Sequence, residues 1–248
     1  MSGEGGDGKE RRRMVRPPTA GETTGRSTPK RLKAAKKHST SSQAWLERQL
    51  NDPYAAAARA QGYKSRAAFK LIELDDRLGL LKPGARVIDL GCAPGGWIQV
   101  ALERHAGKVV GVDLLPIDPI GAAVILQDDF NDPECSDRLL EHLNGPPDLI
   151  LSDMAPNTTG HRKTDHLRII GLVESAADFA ISTLPPGGSF VAKAFQGGET
   201  AGVIKLLKAH FGDVRHIKPK SSRTDSSEVY LVARGLKSTE EGLPQGGR

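Results

Sequence analysis

The chain has 248 residues, of which 38% are hydrophobic and 4% aromatic, with 35 lysines and arginines against 30 acids for a net charge of +5. That length suits one domain with a tail or at most two small domains, and no apolar run reaches the roughly eighteen residues that a membrane span needs. The start, MSGEGGDGKERRRM, lacks an apolar signal core, and Cys92 and Cys135 form neither a metal-ligand spacing nor a disulfide framework; the expectation is a soluble protein of the cytoplasm that carries no metal.

The charge is uneven. Residues 1–42 hold 11 lysines and arginines against 4 acids, so the rest of the chain is slightly acidic. Rich in Gly, Ser, Thr and Pro, this segment cannot bury enough apolar surface to offset its ordering entropy and is expected to be a disordered basic tail. Such arms lie along nucleic-acid phosphates or remain solvated with no specific partner.

Past the tail, Ser42 is a candidate cap for a helix over QAWLERQLN, and a second helical stretch follows from Asp52 through Ala60. Ser65 is the expected cap of a longer helix, SRAAFKLIELDDRLGL, in which Ala68, Leu71, Ile72 and Leu78 keep a helical period. Pro83-Gly84 marks the turn that ends this part. Beyond it, short apolar runs alternate with helical segments. The strand candidates are 86–90, 108–114, 123–127, 147–153, 188–195, 213–218 and 228–233, with helices near 96–105, 134–143, 164–184 and 199–211. Apolar runs without polar alternation belong to strands covered on both faces, so the pattern reads as a doubly wound α/β domain. Ligands of such sheets sit beyond the carboxyl ends of the strands.

The first strand runs into Asp89-Leu90-Gly91-Cys92-Ala93-Pro94-Gly95-Gly96-Trp97. Glycines at a strand-to-helix turn let the backbone approach a ligand closely, yet neither G-x-G-x-x-G nor a phosphate-loop lysine is present, so pyrophosphate binding is poorly supported. Asp113 closes the second strand, where an acid is placed to accept ribose hydroxyls. Asp128 and Asp129, near the third strand end, suit the donor groups of an adenine. The set fits a nucleoside cofactor without phosphates, of which S-adenosyl-L-methionine is an example.

At the fourth strand end stands Ser152-Asp153-Met154-Ala155-Pro156-Asn157, where Asp153 reads either as a site acid or as an ordinary cap. Lys193 lies inside the apolar FVAKAF and shares a face with Val191 and Phe195, so it must find a partner, reach the surface or lose its proton. Lys70 alone reads as a solvated helix lysine, and Glu228 alone as an exposed strand-end acid.

The stretches SRAAFKL, VIDLGCAPGGW, VDLLPIDPI, LSDMAPNTTG, GGSFVAKAFQG and SSRTDSSEVYLVA, in that order, resemble the RrmJ/FtsJ family, and within it the RlmE-type 23S ribosomal RNA (uridine-2′-O)-methyltransferases. The similarity spans about residues 43–235. The resemblance implies a Rossmann-like methyltransferase fold with a seven-stranded, mostly parallel sheet and helices on both faces. It implies domain limits of 1–42 for the tail, 43–236 for the catalytic domain and 237–248 for a flexible C-terminal tail. The family's Lys-Asp-Lys-Glu tetrad falls on Lys70, Asp153, Lys193 and Glu228, and its cofactor contacts on Gly95, Trp97, Asp113, Asp129 and Asp153. The implied reaction is methylation of a uridine 2′-hydroxyl in large-subunit ribosomal RNA, on an assembled or nearly assembled 50S subunit, by a monomer. Cys92 and Ala68 depart from the common alanine and aromatic at their positions; neither touches the tetrad.

Lys193 then acts either as a neutral base or as a charged group that orients the hydroxyl and stabilises developing oxyanion charge. RNA contacts are expected from Arg59, Lys64, Arg66 and the tail, with Lys218, Lys220 and Arg223 on the same rim. The low aromatic content argues against a broad base-stacking platform. Two other readings are a relative acting on transfer RNA or cap ribose, separated by activity on free transfer RNA, and a non-catalytic RNA-binding assembly protein, which has no use for a buried Lys193. A nicotinamide oxidoreductase is disfavoured by the missing G-x-G-x-x-G.

Overall fold

The computed structural model describes residues 51–156, 162–197, 200–223 and 226–238, with the side chains of 162–166 set aside. The basic tail, the QAWLERQLN helix up to residue 50 and the expected C-terminal tail from residue 239 onward lie outside the described residues.

Two helices open the described chain: α1 (Pro53–Ala60) and α2 (Ala67–Leu78). Asp52 caps α1 by accepting the N–H groups of Tyr54 and Ala55, with Pro53 in the first turn. Ser65 does not cap α2 as expected. Arg66 holds the cap position without a side-chain bond, and the Ser65 hydroxyl packs under the start of the next helix, where a Cβ on Gly96 would come within 2.6 Å of it. Gly79, at φ +63°, ends α2 in the left-handed conformation.

The β/α alternation follows as β1 (Arg86–Leu90), α3 (Gly96–Glu103), β2 (Lys108–Asp113), β3 (Val124–Gln127), α4 (Cys135–Leu143), β4 (Leu149–Ser152), α5 (Arg162–Thr183), β5 (Ser189–Phe195), α6 (Ala201–His210), β6 (Phe211–Ile217) and β7 (Glu228–Leu236). The strands form one sheet in the order β3-β2-β1-β4-β5-β7-β6, with β7 antiparallel to both neighbours and the remaining pairs parallel. The expected doubly wound, mostly parallel seven-stranded sheet is therefore present. β6 and β7 run longer than their apolar stretches, because Phe211 pairs with Leu236 and the polar Arg234 and Gly235 lie within that ladder.

Helices cover both faces. Ile88 and Leu90 of β1 pack with Leu139, Ala177 and Leu207 of α4, α5 and α6. Val87 faces the opposite layer, with Leu71 of α2 and Ile98 of α3. The strand order reverses between β1 and β4, and at such a switch point the loops part and leave a crevice beyond the strand ends.

Candidate active site

A crevice of about 740 Å³ opens there, walled by Gly91, Asp113, Asp129, Asp153, Met154 and Arg168 among others. Gly91, at φ +74°, lets the chain turn where Met154 closes in: a Cβ would lie 2.8 Å from the Met154 Cα and 2.9 Å from its backbone nitrogen. Asp113 ties the turn to the β2 end, accepting from the Ala93 N–H and the Leu115 N–H at 2.9 Å each. Asp129 accepts from Asn131 through one oxygen. Asp128 differs from its expected role. Its oxygens take the Asp129 N–H at 2.9 Å and the Arg138 Nε at 2.8 Å, so it secures the loop and leaves Asp129 as the exposed acid. Arg138 also reaches Asp132 at 3.0 Å and Glu134 at 3.1 Å; the Glu134 N–H that Asp132 accepts, followed by the Arg138 bond, holds the Asp132 carboxyl below its usual range.

Among the described residues lining the crevice, Arg168 is the only base facing four acids. The wall therefore suits a ligand with positive charge and many donors, and it opposes a polyphosphate. A larger hollow of about 830 Å³ lies at the other ends of the strands, lined by Pro83, Gly84, Gly187, Gly188 and Gly235. Of the polar side chains that line it, Arg234 and Asp213 bind each other at 2.5 Å and Asp148 accepts the Arg86 N–H at 2.8 Å.

Beside the crevice, two ion pairs meet. Lys193 on β5 is 8% exposed; its Nζ donates to the Asp153 carbonyl at 2.6 Å and lies 3.1 Å from Asp153 Oδ1. Lys70 on α2 pairs with Glu228 at the start of β7 at 2.6 Å. Tyr230 joins the pairs. It stands opposite Lys193 across the β5–β7 ladder, its hydroxyl donates to Asp153 Oδ1 at 2.8 Å, and its ring centroid is 5.6 Å from Lys70 Nζ. Burial, with Asp153 and Glu228 beside it, raises the Tyr230 pKa well above the ordinary phenol value and keeps it a donor.

The residues Lys70, Asp153, Lys193 and Glu228, far apart in sequence, are thus brought together, and Asp153 belongs both to this cluster and to the crevice wall. Gly95 (φ +107°) caps α3 and Trp97 lies in its first turn, but the indole points away from the crevice: its Nε1 donates to the Ala67 carbonyl at 2.8 Å and its ring packs on Tyr230. Neither residue lines the crevice; what they present at the start of α3 is main-chain N–H groups, which have no partner within the helix. Of the expected RNA contacts, Arg66 is engaged internally with Asp52 and the Ser221 carbonyl, while Lys64 sits 3.7 Å from the exposed Asp118. Arg59 and Lys220 are exposed.

Sequence reasoning missed Tyr230 and Ser222. Tyr230 was findable, because it follows Glu228 by one strand period and so shares its face. Ser222, whose hydroxyl donates to Glu228 Oε1 at 3.1 Å, lies in a loop without periodicity and leaves no such signal. Asp89, 1% exposed on β1, has neither carboxylate oxygen partnered within the protein. Desolvation, reinforced by Asp153 and Asp113, pushes its pKa well above the ordinary range.

The doubly wound sheet thus carries an acid-walled crevice at its switch point with two lysine–acid pairs beside it. The chain belongs to the FtsJ-like methyltransferase family, whose model matches residues 63–236. It is 64% identical over 224 residues, covering 90% of this chain and 99% of the relative, to ribosomal RNA large subunit methyltransferase E of Caulobacter sp. strain K31. It is 62% identical over 207 residues to the protein of that description from Acidiphilium cryptum, covering 84% and 92% of the two chains. Among solved structures it resembles a ribosomal RNA methyltransferase from Plasmodium falciparum, with a TM-score of 0.64 and 34% identity over 70% of this chain and 98% of that one.

Proposed function

We propose that this enzyme transfers a methyl group from S-adenosyl-L-methionine to the 2′-hydroxyl of a uridine in 23S ribosomal RNA, on the assembled 50S subunit. One observation carries the reading: the Lys193–Asp153 and Lys70–Glu228 pairs meet through Tyr230 at the edge of an acid-walled crevice. The names of the relatives supply the large-subunit substrate.

The donor, when bound, supplies a methyl group already activated by its positive sulfur. The crevice fits it, because Asp113, Asp129 and Asp153 complement a cationic nucleoside rich in donors, and Gly91 lets the Met154 backbone close in beside Asp153. Gly95 and Trp97 add main-chain groups at the start of α3. Asp153 links donor and acceptor by holding Lys193 while facing the crevice. We read Lys193 and Lys70 as charged groups. They orient the lone pairs of the 2′-oxygen for in-line attack and stabilise its developing charge as its proton leaves to water. The Tyr230 hydroxyl fixes Asp153, and Glu228 fixes Lys70.

Exposed Arg59 and Lys220, with Lys64 and the basic residues 1–42, serve RNA phosphates, so affinity falls steeply with salt. Residues 43–236 act as the catalytic domain, flanked by tails at 1–42 and 237–248, in a cytoplasmic monomer. Among the described residues no helix is long and apolar enough to cross a membrane. The test is transfer of radiolabelled methyl from S-adenosyl-L-methionine to purified large ribosomal subunits, free ribosomal RNA and transfer RNA. Label in a subunit ribose is expected; label in transfer RNA alone, or in none, refutes the reading.

A further inference from the structure

Arg66, Lys70 and Glu73 recur at helical spacing on one face of α2, and all three engage the chain between β6 and the start of β7. Arg66 donates to the Ser221 carbonyl, and Lys70 pairs with Glu228. Glu73 accepts two backbone N–H groups, from Lys220 at 2.6 Å and Ser221 at 2.9 Å. The next residue, Ser222, donates to Glu228 Oε1, the oxygen that also faces Lys70 Nζ. Ser221 and Ser222 are buried, yet Lys220, Ser221 and Ser222 offer no apolar side chain with which to pack. Their placement therefore depends on hydrogen bonds, and a carboxylate that accepts two N–H groups makes bonds roughly twice as strong as neutral ones.

We propose that Glu73 is a positioning residue for methyl transfer, clamping residues 220–222 against α2 so that Ser222 holds Glu228 in register with Lys70; this rests on the functional reading above. Glu73 touches no reacting atom. It acts through Ser222, and its loss frees the segment from which Ser222 reaches Glu228 Oε1.

The test compares Glu73→Ala, Glu73→Gln, Ser222→Ala and the Glu73→Ala/Ser222→Ala double variant with the natural protein. The readouts are kcat and KM on large ribosomal subunits, the dissociation constant for S-adenosyl-L-methionine, the melting temperature, and hydrogen exchange across residues 218–223 and 228–233. Glu73→Ala is expected to lower kcat about 10-fold, the scale of one charge-assisted hydrogen bond expressed on the barrier, with cofactor affinity within about twofold because the crevice is separate. Ser222→Ala should act similarly and the double variant no worse than the stronger single, since both interrupt one chain of contacts. Glu73→Gln should regain part of the rate, as its carbonyl oxygen keeps one of the two N–H bonds.

Unchanged kcat in Glu73→Ala, multiplying effects in the double variant, or a parallel fall of kcat, cofactor affinity and melting temperature would each overturn the proposal. If the natural protein methylates no RNA, the functional reading falls, and hydrogen exchange alone decides the clamp. Faster exchange at Glu228 in Glu73→Ala then supports it, and unchanged exchange there overturns it.

Discussion

Replacing Gly91 by alanine separates backbone strain from collision at the crevice. The position has φ +74°, and a Cβ would lie 2.7 Å from Met154 Cγ, 2.8 Å from its Cα and 2.9 Å from its backbone nitrogen. The left-handed conformation costs an L residue about 1–2 kcal/mol. The Met154 side chain can rotate away, but its backbone cannot, and forcing extra carbon into a packed site costs a further 1–3 kcal/mol, roughly. The sum is about 2–5 kcal/mol, and the displacement falls next to Asp153, which holds Lys193. Gly79 is the control: at φ +63° with nothing within 4 Å, Gly79→Ala bears strain alone. For a chain of this size, about 1 kcal/mol moves the melting temperature by roughly 2–4 °C. Gly79→Ala should therefore melt a few degrees low and bind S-adenosyl-L-methionine normally. Gly91→Ala should melt lower still and bind it at least about 10-fold more weakly, by calorimetry. Equal melting temperatures and equal affinities for the two variants would refute the reasoning.

Asp89 gives a prediction in pH. Its folded-state pKa lies well above the unfolded value near 3.8, so between the two the native state holds a proton that the unfolded state has lost. Stability is then fully supported below the unfolded pKa and declines as pH rises toward the folded one, by at most about 1.4 kcal/mol per pH unit. Asp89→Asn should shift in stability relative to the natural protein in its own favour as pH rises from 4 to 8, by urea unfolding; a constant difference would show that Asp89 titrates normally. Arg138→Ala should loosen the loop carrying Asp129. Because Arg138 lies at the surface, where ion pairs are screened by solvent, unfolding stability should change little, while the KM for S-adenosyl-L-methionine rises several-fold at near-normal kcat. An unchanged KM would disconnect that loop from the cofactor.

The sheet was legible because its chemistry is local. Apolar runs such as Val87–Ile88 and Val109–Val110 have no polar alternation, and Pro83-Gly84 and Gly91 mark turns beside them. Boundaries slipped where long-range pairing extends a strand past its apolar stretch, as at Arg234 and Gly235 of β7. Lys193 announced itself as a charge inside a buried strand, whereas Lys70 and Glu228 look ordinary until α2 and β7 are laid side by side. Asp128 and Ser65 misled because each is the right residue type for its expected role: Arg138 engages Asp128 first, and the Ser65 hydroxyl is buried beside the start of α3. Glu73 was invisible because its partners are backbone N–H groups some 147 and 148 positions away.

The central claim is that the lysine–acid cluster carries methyl transfer beside the crevice that binds the donor, with Asp153 common to both. Its most direct test is the single-turnover rate of Lys193→Ala, with large ribosomal subunits and S-adenosyl-L-methionine both saturating, beside the dissociation constant for the donor. A rate about 10²–10³-fold below that of the natural protein, the usual consequence of losing one charge-stabilising donor, with donor affinity nearly kept, is the predicted result. A single-turnover rate within about threefold of the natural protein would contradict the account.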